Sequence, residues 1–274
     1  MDSGEEGMID VIKQQFKPGM SINQKLNVTR EFLQILTLKI LNDKKCFENI
    51  AFVGGTSLRI LYDIKRFSED LDFSIIKKQK YNFDKIHREL SKEFKLYGLA
   101  FEANPHKQKT VHSMMMKFSS LLKELGISPM SSQKLSIKLE IDTNPPLGWE
   151  LANTIISKTY TFNIVHYNLS SLYAGKLHAC FYRKFTKGRD FYDFIWYLGK
   201  KVKPNFTLFN NTILQTEGKN PGINESNFKP YLLENIKRID FALAKKDVER
   251  FLEDKSELNL FDQKLITSAI DNAY

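Results

Sequence analysis

Apolar positions recur at helical spacing through residues 23–42, at Leu26, Val28, Phe32, Leu33, Leu36, Leu38, Ile40 and Leu41. Apolar residues on so much of the surface predict a largely buried helix. In residues 48–53 the short run Ile-Ala-Phe-Val stops at Gly54-Gly55, which predicts a strand or tight connector closed by a breaker. Residues 57–64 set Leu58, Leu61 and Tyr62 on one helical face, and Arg66-Phe67-Ser68 reads as a turn. From 69 to 76 the period drops to two. Leu71, Phe73 and Ile75 point one way, and Asp70, Asp72 and Ser74 the other, which predicts a strand with one polar face. Residues 83–97 read as a helix, 110–118 and 134–142 as strands, and Asn144-Pro145-Pro146 ends the second of these. Residues 153–162 read as one further strand.

After Tyr167 the helical period takes over, in 170–182, in 189–199 and in most of 228–273. The stretch Glu-Gly-Lys-Asn-Pro-Gly at 217–222 separates the last helices from the rest. The pattern therefore predicts an α+β domain with a mixed sheet over residues 1–165. A mostly helical domain over 166–274 follows it.

With 274 residues, of which 42% are hydrophobic, the chain has enough apolar bulk for one large or two small domains. The formal net charge of +9 favours a polyanionic partner such as nucleic acid or nucleotide. Cys46 and Cys180 form no CxxC pair, which suits a reducing compartment. The acidic, then amphipathic start lacks the basic, apolar pattern of a signal peptide, and no apolar run is long enough to span a bilayer. These features together predict a cytoplasmic protein without a membrane partner.

Asp70 and Asp72 on one strand face stand about 7 Å apart at the backbone. Like charges that close call for a positive partner, and a divalent cation such as Mg2+ (or Mn2+) binds through such carboxylates together with substrate phosphates. A solvent-facing edge strand would show the same spacing. In Lys134–Asp142 the residues Lys138, Glu140 and Asp142 share the polar face. If this strand pairs beside Asp70–Ser74, either Glu140 or Asp142 completes a three-acid set able to hold metal for phosphoryl or nucleotidyl transfer. Gly54-Gly55 permits a close backbone approach, and Thr56 and Ser57 stand where a helix begins. Backbone amides at such a start bind phosphate, while the hydroxyls either cap the helix or touch the ligand. No GxxxxGK[ST] string occurs, so this is no P-loop.

A Gly-Gly turn, a helix and an Asp-x-Asp strand resemble the DNA polymerase β-like nucleotidyltransferases. The fuller string resembles the AbiEii/AbiGii toxin family of toxin–antitoxin and abortive-infection systems. The match runs through Gly54, Gly55, Thr56, Leu58, Arg66, Ser68, Asp70, Leu71, Asp72 and Phe73. Lys138 and Glu140 match the family's K-x-E segment, with Asp142 an extra acid. Gly175, Lys176, Arg183, Lys187, Arg189, Asp190, Tyr192 and Asp193 match a third segment, in which Phe194 replaces the usual leucine. The resemblance spans about residues 50–200. It implies a metal-dependent enzyme that transfers NMP from an NTP to an RNA, at the tRNA 3′ end, blocking translation. The resemblance also implies a cognate antitoxin, which need not bind directly. Nucleotide contacts are implied for Gly54, Gly55, Thr56, Ser57, Arg66, Ser68, Lys176 and Arg189, and a functional Asp190 or Asp193.

The residues agree with that resemblance in part. Leu169, Leu172, Tyr173, Lys176 and Cys180 fall near one helical face, so Lys176 interrupts an apolar stripe. It either snorkels to the surface or meets a partner of opposite charge, such as a triphosphate. Asp190 and Asp193 share a helical face, where a general base or a pairing with Arg183 or Arg189 fits equally. Between Lys176 and Lys203 eight Lys/Arg against two Asp give +6, interleaved with Phe181, Tyr182, Phe185, Phe191 and Tyr192, a composition that suits RNA. The same chemistry with a protein or small-molecule acceptor, and a non-catalytic RNA-binding module, are the competing readings.

Overall fold

The segments whose apolar residues alternate come together as one sheet. The computed structural model describes residues 7–274, and the acidic start at residues 1–6 lies outside them. Along the chain come helices α1 (Met8–Lys13) and α2 (Ile22–Asp43), strand β1 (Ile50–Val53), helix α3 (Gly54–Tyr62), strand β2 (Leu71–Ile75) and helix α4 (Phe83–Leu96). Strands β3 (Phe101–Lys107) and β4 (Val111–Phe118), helix α5 (Leu121–Glu124), and strands β5 (Leu135–Asp142), β6 (Leu151–Ser157) and β7 (Thr161–Tyr167) follow. The rest is helical: α6 (Leu169–Tyr182), α7 (Gly188–Gly199), α8 (Phe206–Glu217), α9 (Glu225–Ile236), α10 (Phe241–Val248) and α11 (Gln263–Ala273). The sheet order is β3-β4-β5-β2-β1-β7-β6. β2 and β5 run parallel, while β4 is antiparallel to both β3 and β5. The architecture is thus α+β, as the pattern predicted.

Contacts divide the chain into two compact units. The first holds the residues up to 52, 69–144 and 153–165; the second holds 53–68, 145–152 and 166–274. In the first unit one sheet face is apolar. Leu71 and Phe73, Met114 and Met116, and Leu135, Ile137, Leu139 and Ile141 are all buried. Each such side chain contributes about 1.5–3 kcal/mol relative to exposure. Helix α2 packs against β5 and α4, and α4 against β3. Ser21 and Gln24 form a capping box that starts α2.

Several local predictions change. Helix α3 begins at Gly54 rather than at Ser57, and helix α8 was not foreseen. The single strand expected over 153–162 is two strands, β6 and β7, turning at Lys158-Thr159-Tyr160, a turn with neither Gly nor Pro to announce it. Strand β3 was not foreseen. It carries Pro105 and mostly polar residues, which the sheet tolerates because β3 is an edge.

The second unit is built on helices. α6 packs against α3, α7 and α8, and α7 also meets α10 and α11. Tyr173 of α6 stacks on Tyr197 of α7 with ring centroids 4.2 Å apart. A Cβ on Gly188 would lie 1.9 Å from the Ala244 carbonyl oxygen, so only glycine lets α7 start against α10. The Gly-Gly helix α3 belongs to this unit. An Arg59–Glu253 ion pair (2.5 Å) holds the helix, and Phe67 N–H donating to Phe251 O (2.8 Å) straps down the segment after it.

Candidate active site

The register of β2 on β5 pairs Asp72 with Glu140 and Ser74 with Asp142. Residues level on parallel neighbours project from the same face, about 4.8 Å apart. Asp70 lies just before β2, and its charge acts on Lys138. On the far side of β5, Met115 lies beside Lys138 and Ser113 beside Glu140. The pairing on which the three-acid set depended is therefore met, and Asp72, Glu140, Asp142 and Lys138 share the face opposite the core. The methionine run splits accordingly: Met114 and Met116 are buried, and Met115 is exposed.

Lys138 Nζ is 2.8 Å from Glu140 Oε1. That hydrogen bond raises the ammonium's pKa most; burial opposes it, and the charges of Glu140, Asp70 and Asp72 add to the rise. Lys138 is therefore a positive charge held among the acids. Asp142 differs from Glu140. It accepts the Asn144 N–H (2.8 Å), yet burial still pushes its carboxyl up. Glu140, level with Asp72, is the better-placed third oxygen donor. Among the described residues no three His, Cys, Asp or Glu side chains converge into a ready metal cage. Glu140 is turned to Lys138 instead. The donor chemistry, hard carboxylate oxygens on adjacent strands whose charge one lysine offsets only in part, fits a divalent ion of the Mg2+ type.

In the second unit each glycine of the turn has its own reason. Gly54 has φ 79°, in the left-handed region. Gly55 faces Arg66, whose Nη2 would lie 2.5 Å from an added Cβ. Thr56 and Ser57 are buried, and Ser57 Oγ donates to Gly54 O (2.7 Å) within the first turn. Val53 occupies the N-cap and offers no side-chain cap. What this helix start presents is its backbone amides rather than the Ser57 hydroxyl.

Arg66, expected to contact nucleotide, is turned inward and only 1% exposed. Its Nε and Nη2 donate to the two carboxylate oxygens of Asp193 at 2.5 Å each, and Nη1 donates to Phe67 O at 3.0 Å. A guanidinium with these bonds is committed to the fold. Lys176 does not snorkel. Its ammonium bonds Asp190 Oδ1 (2.7 Å) and lies 2.8 Å from Asp193 Oδ2. Arg183 pairs with the other oxygen of Asp190. Five side chains thus alternate in sign, Arg66–Asp193–Lys176–Asp190–Arg183. Burial works against the Lys176 charge, but Asp190 and Asp193 keep its pKa raised. Burial likewise opposes ionisation of Asp190, and Lys176 and Arg183 outweigh it, holding its carboxyl below the usual range. Arg189 lies over the Phe251 ring, 4.3 Å from its centroid, and Ser68 is half-buried between Arg66 and Asp70. The helical face shared by Asp190 and Asp193 was readable from their spacing. Their link through Asp193 to Arg66 had no local signal.

A seven-stranded mixed sheet with acids level on its two central parallel strands, and helices carrying a paired lysine, is the fold of an α+β nucleotidyltransferase. The chain belongs to the AbiEii nucleotidyl transferase toxin family of type IV toxin–antitoxin systems, whose family model matches residues 37–267. No curated protein sequence matches it. Solved structures similar to it include JHP933 from Helicobacter pylori, 19% identical with a TM-score of 0.48 over 90% of this chain and 96% of that one. A candidate nucleotidyltransferase from H. pylori is 21% identical, with a TM-score of 0.49 over 88% of this chain and 97% of that one. Among the described residues no helix is long and apolar enough to cross a membrane.

Proposed function

We propose that this nucleotidyltransferase moves a nucleoside monophosphate from an NTP to an RNA, at the 3′ end of tRNA in the cytoplasm, and so blocks translation. The observation that carries the catalytic part is the register that sets Asp72 level with Glu140, with Asp70 just before the strand. Asp70, Asp72 and Glu140 would hold Mg2+ or Mn2+, with Asp142 held back by its own hydrogen bond. The ion, when bound, supplies Lewis-acid charge for the reacting phosphates. In the helical unit, the amides at Gly54–Ser57 bind triphosphate oxygens and Lys176 offsets their charge. The acceptor hydroxyl loses its proton to solvent as its oxygen forms a bond to the α-phosphorus, the bond from that phosphorus to the bridging β-phosphate oxygen breaks, and pyrophosphate leaves with the electron pair. Asp190, salt-bridged on both oxygens and with a lowered pKa, is a weak base for the hydroxyl proton. We assign it and Asp193 to positioning Lys176, with Arg66 bracing Asp193. Arg189 is assigned to packing on Phe251.

The RNA acceptor is supported by the net charge of +9 and by the concentration of cations in residues 176–203. The family implies an antitoxin partner. Incubation with each labelled NTP, Mg2+ and total RNA, with the cell's proteins present, tests the proposal. Label in tRNA is expected. Label in protein would place the acceptor elsewhere, and no transfer from any NTP would overturn the reading.

A further inference from the structure

Five aromatic residues are interleaved with the cations of residues 181–192, and four of them are accounted for by packing. Phe181 meets Phe194 and Tyr231 edge-on, Tyr182 stacks on His178, Phe191 meets Phe241, and Tyr192 stacks on Phe261. Phe185 is the exception. At 77% it is the most exposed large apolar side chain among the described residues. It sits in the loop Arg183-Lys184-Phe185-Thr186-Lys187, with Lys184 and Lys187 exposed on either side. This loop joins α6, which carries Lys176, to α7, which carries Asp190, and Arg183 anchors it by pairing with Asp190. The anchor spends one of the loop's three cations and leaves the two lysines flanking the ring.

A ring held in water contributes nothing to the core, and a cation on each side raises the local affinity for phosphate. An unpaired nucleotide within a strand answers both features, since its base offers a π-face and the phosphates on either side of it carry one charge each. Duplex RNA, read by shape and 2′-hydroxyls, has no use for a protruding ring. We propose that Phe185, with Lys184 and Lys187, holds the single-stranded end of the RNA acceptor. The ring stacks on an unpaired base and the ammonium groups contact the phosphates beside it. The inference rests on the RNA-acceptor reading of the proposed function.

Fluorescence anisotropy of the full chain with a 5′-labelled single-stranded oligoribonucleotide, and with its duplex, tests it. Phe185→Ala is expected to weaken single-strand binding roughly tenfold, the effect of losing one base stack, and Phe185→Trp to restore it. Duplex binding and melting temperature should not change. Replacing Lys184 and Lys187 by Gln should flatten the salt dependence by about 0.7 for each phosphate that a lysine had neutralised. In transfer assays Phe185→Ala should raise KM for RNA and leave KM for NTP unchanged. Equal single-strand binding by wild type and Phe185→Ala would overturn the inference. So would a variant that loses antitoxin binding while RNA binding stays intact. If the wild type labels no RNA but single-strand binding still depends on Phe185, the proposed function fails and the loop assignment stands. If tRNA is labelled equally by both proteins, the reverse holds.

Discussion

Gly55 and Arg66 touch although a helix lies between them in sequence. An alanine at 55 would put its Cβ 2.5 Å from Nη2 of a guanidinium that Asp193 and the Phe67 carbonyl hold in place. Because Arg66 cannot swing away, Gly55→Ala should cost about 1–3 kcal/mol in urea denaturation. An unchanged midpoint would show that Arg66 yields. Arg66→Met leaves the buried Asp193 with Lys176 alone, and should cost about 3–5 kcal/mol by the same measurement. The glycines, Arg66 and the acids were legible as a motif. The purpose of Arg66 was not, because its partner lies 127 residues away. At the sheet, Lys138 competes for Glu140. Removing an ion pair worth about 0.4–1 kcal/mol should tighten metal binding, so Lys138→Met should bind Mn2+ about two- to fivefold more tightly by electron paramagnetic resonance. Weaker binding would mean that Lys138 supports the site instead.

The paired helices α6 and α7 carry a pH dependence of definite sign. Asp190 ionises more readily in the folded chain than at its ordinary value of 3.8; burial opposes this and Lys176 and Arg183 outweigh it. Its stabilisation is therefore complete above the ordinary carboxylate range, and is lost as pH falls through the lower folded value. Melting temperature should drop on that acid limb, and Asp190→Asn should shrink the drop while lowering stability at neutral pH. An identical acid limb in the variant would contradict the pairing. Elements with a clean period were readable to within a residue or two. β2 and β5 alternate because one face is core and the other carries the acids. β3 was hidden because an edge strand accepts Pro105, and its pairing partner β4 supplies what its own pattern lacks.

At the scale of the whole molecule the change of period near Tyr167 located the helical region, yet the chain does not divide at one point. Residues 53–68 leave the sheet unit and join the helical one. That membership is set by α3 packing on α6 and by the bond from Arg66 to Asp193, which no local window contains. The catalytic reading rests on the link between the acids of the sheet unit and a metal ion. Asp72→Asn removes one charge without changing shape, and tests that link most directly. Both proteins would be incubated with labelled NTP, Mg2+ and tRNA, and induced in cells to score growth. The account predicts that the variant folds with an unchanged melting temperature and loses both transfer and growth inhibition. Transfer at the wild-type rate by Asp72→Asn would contradict it.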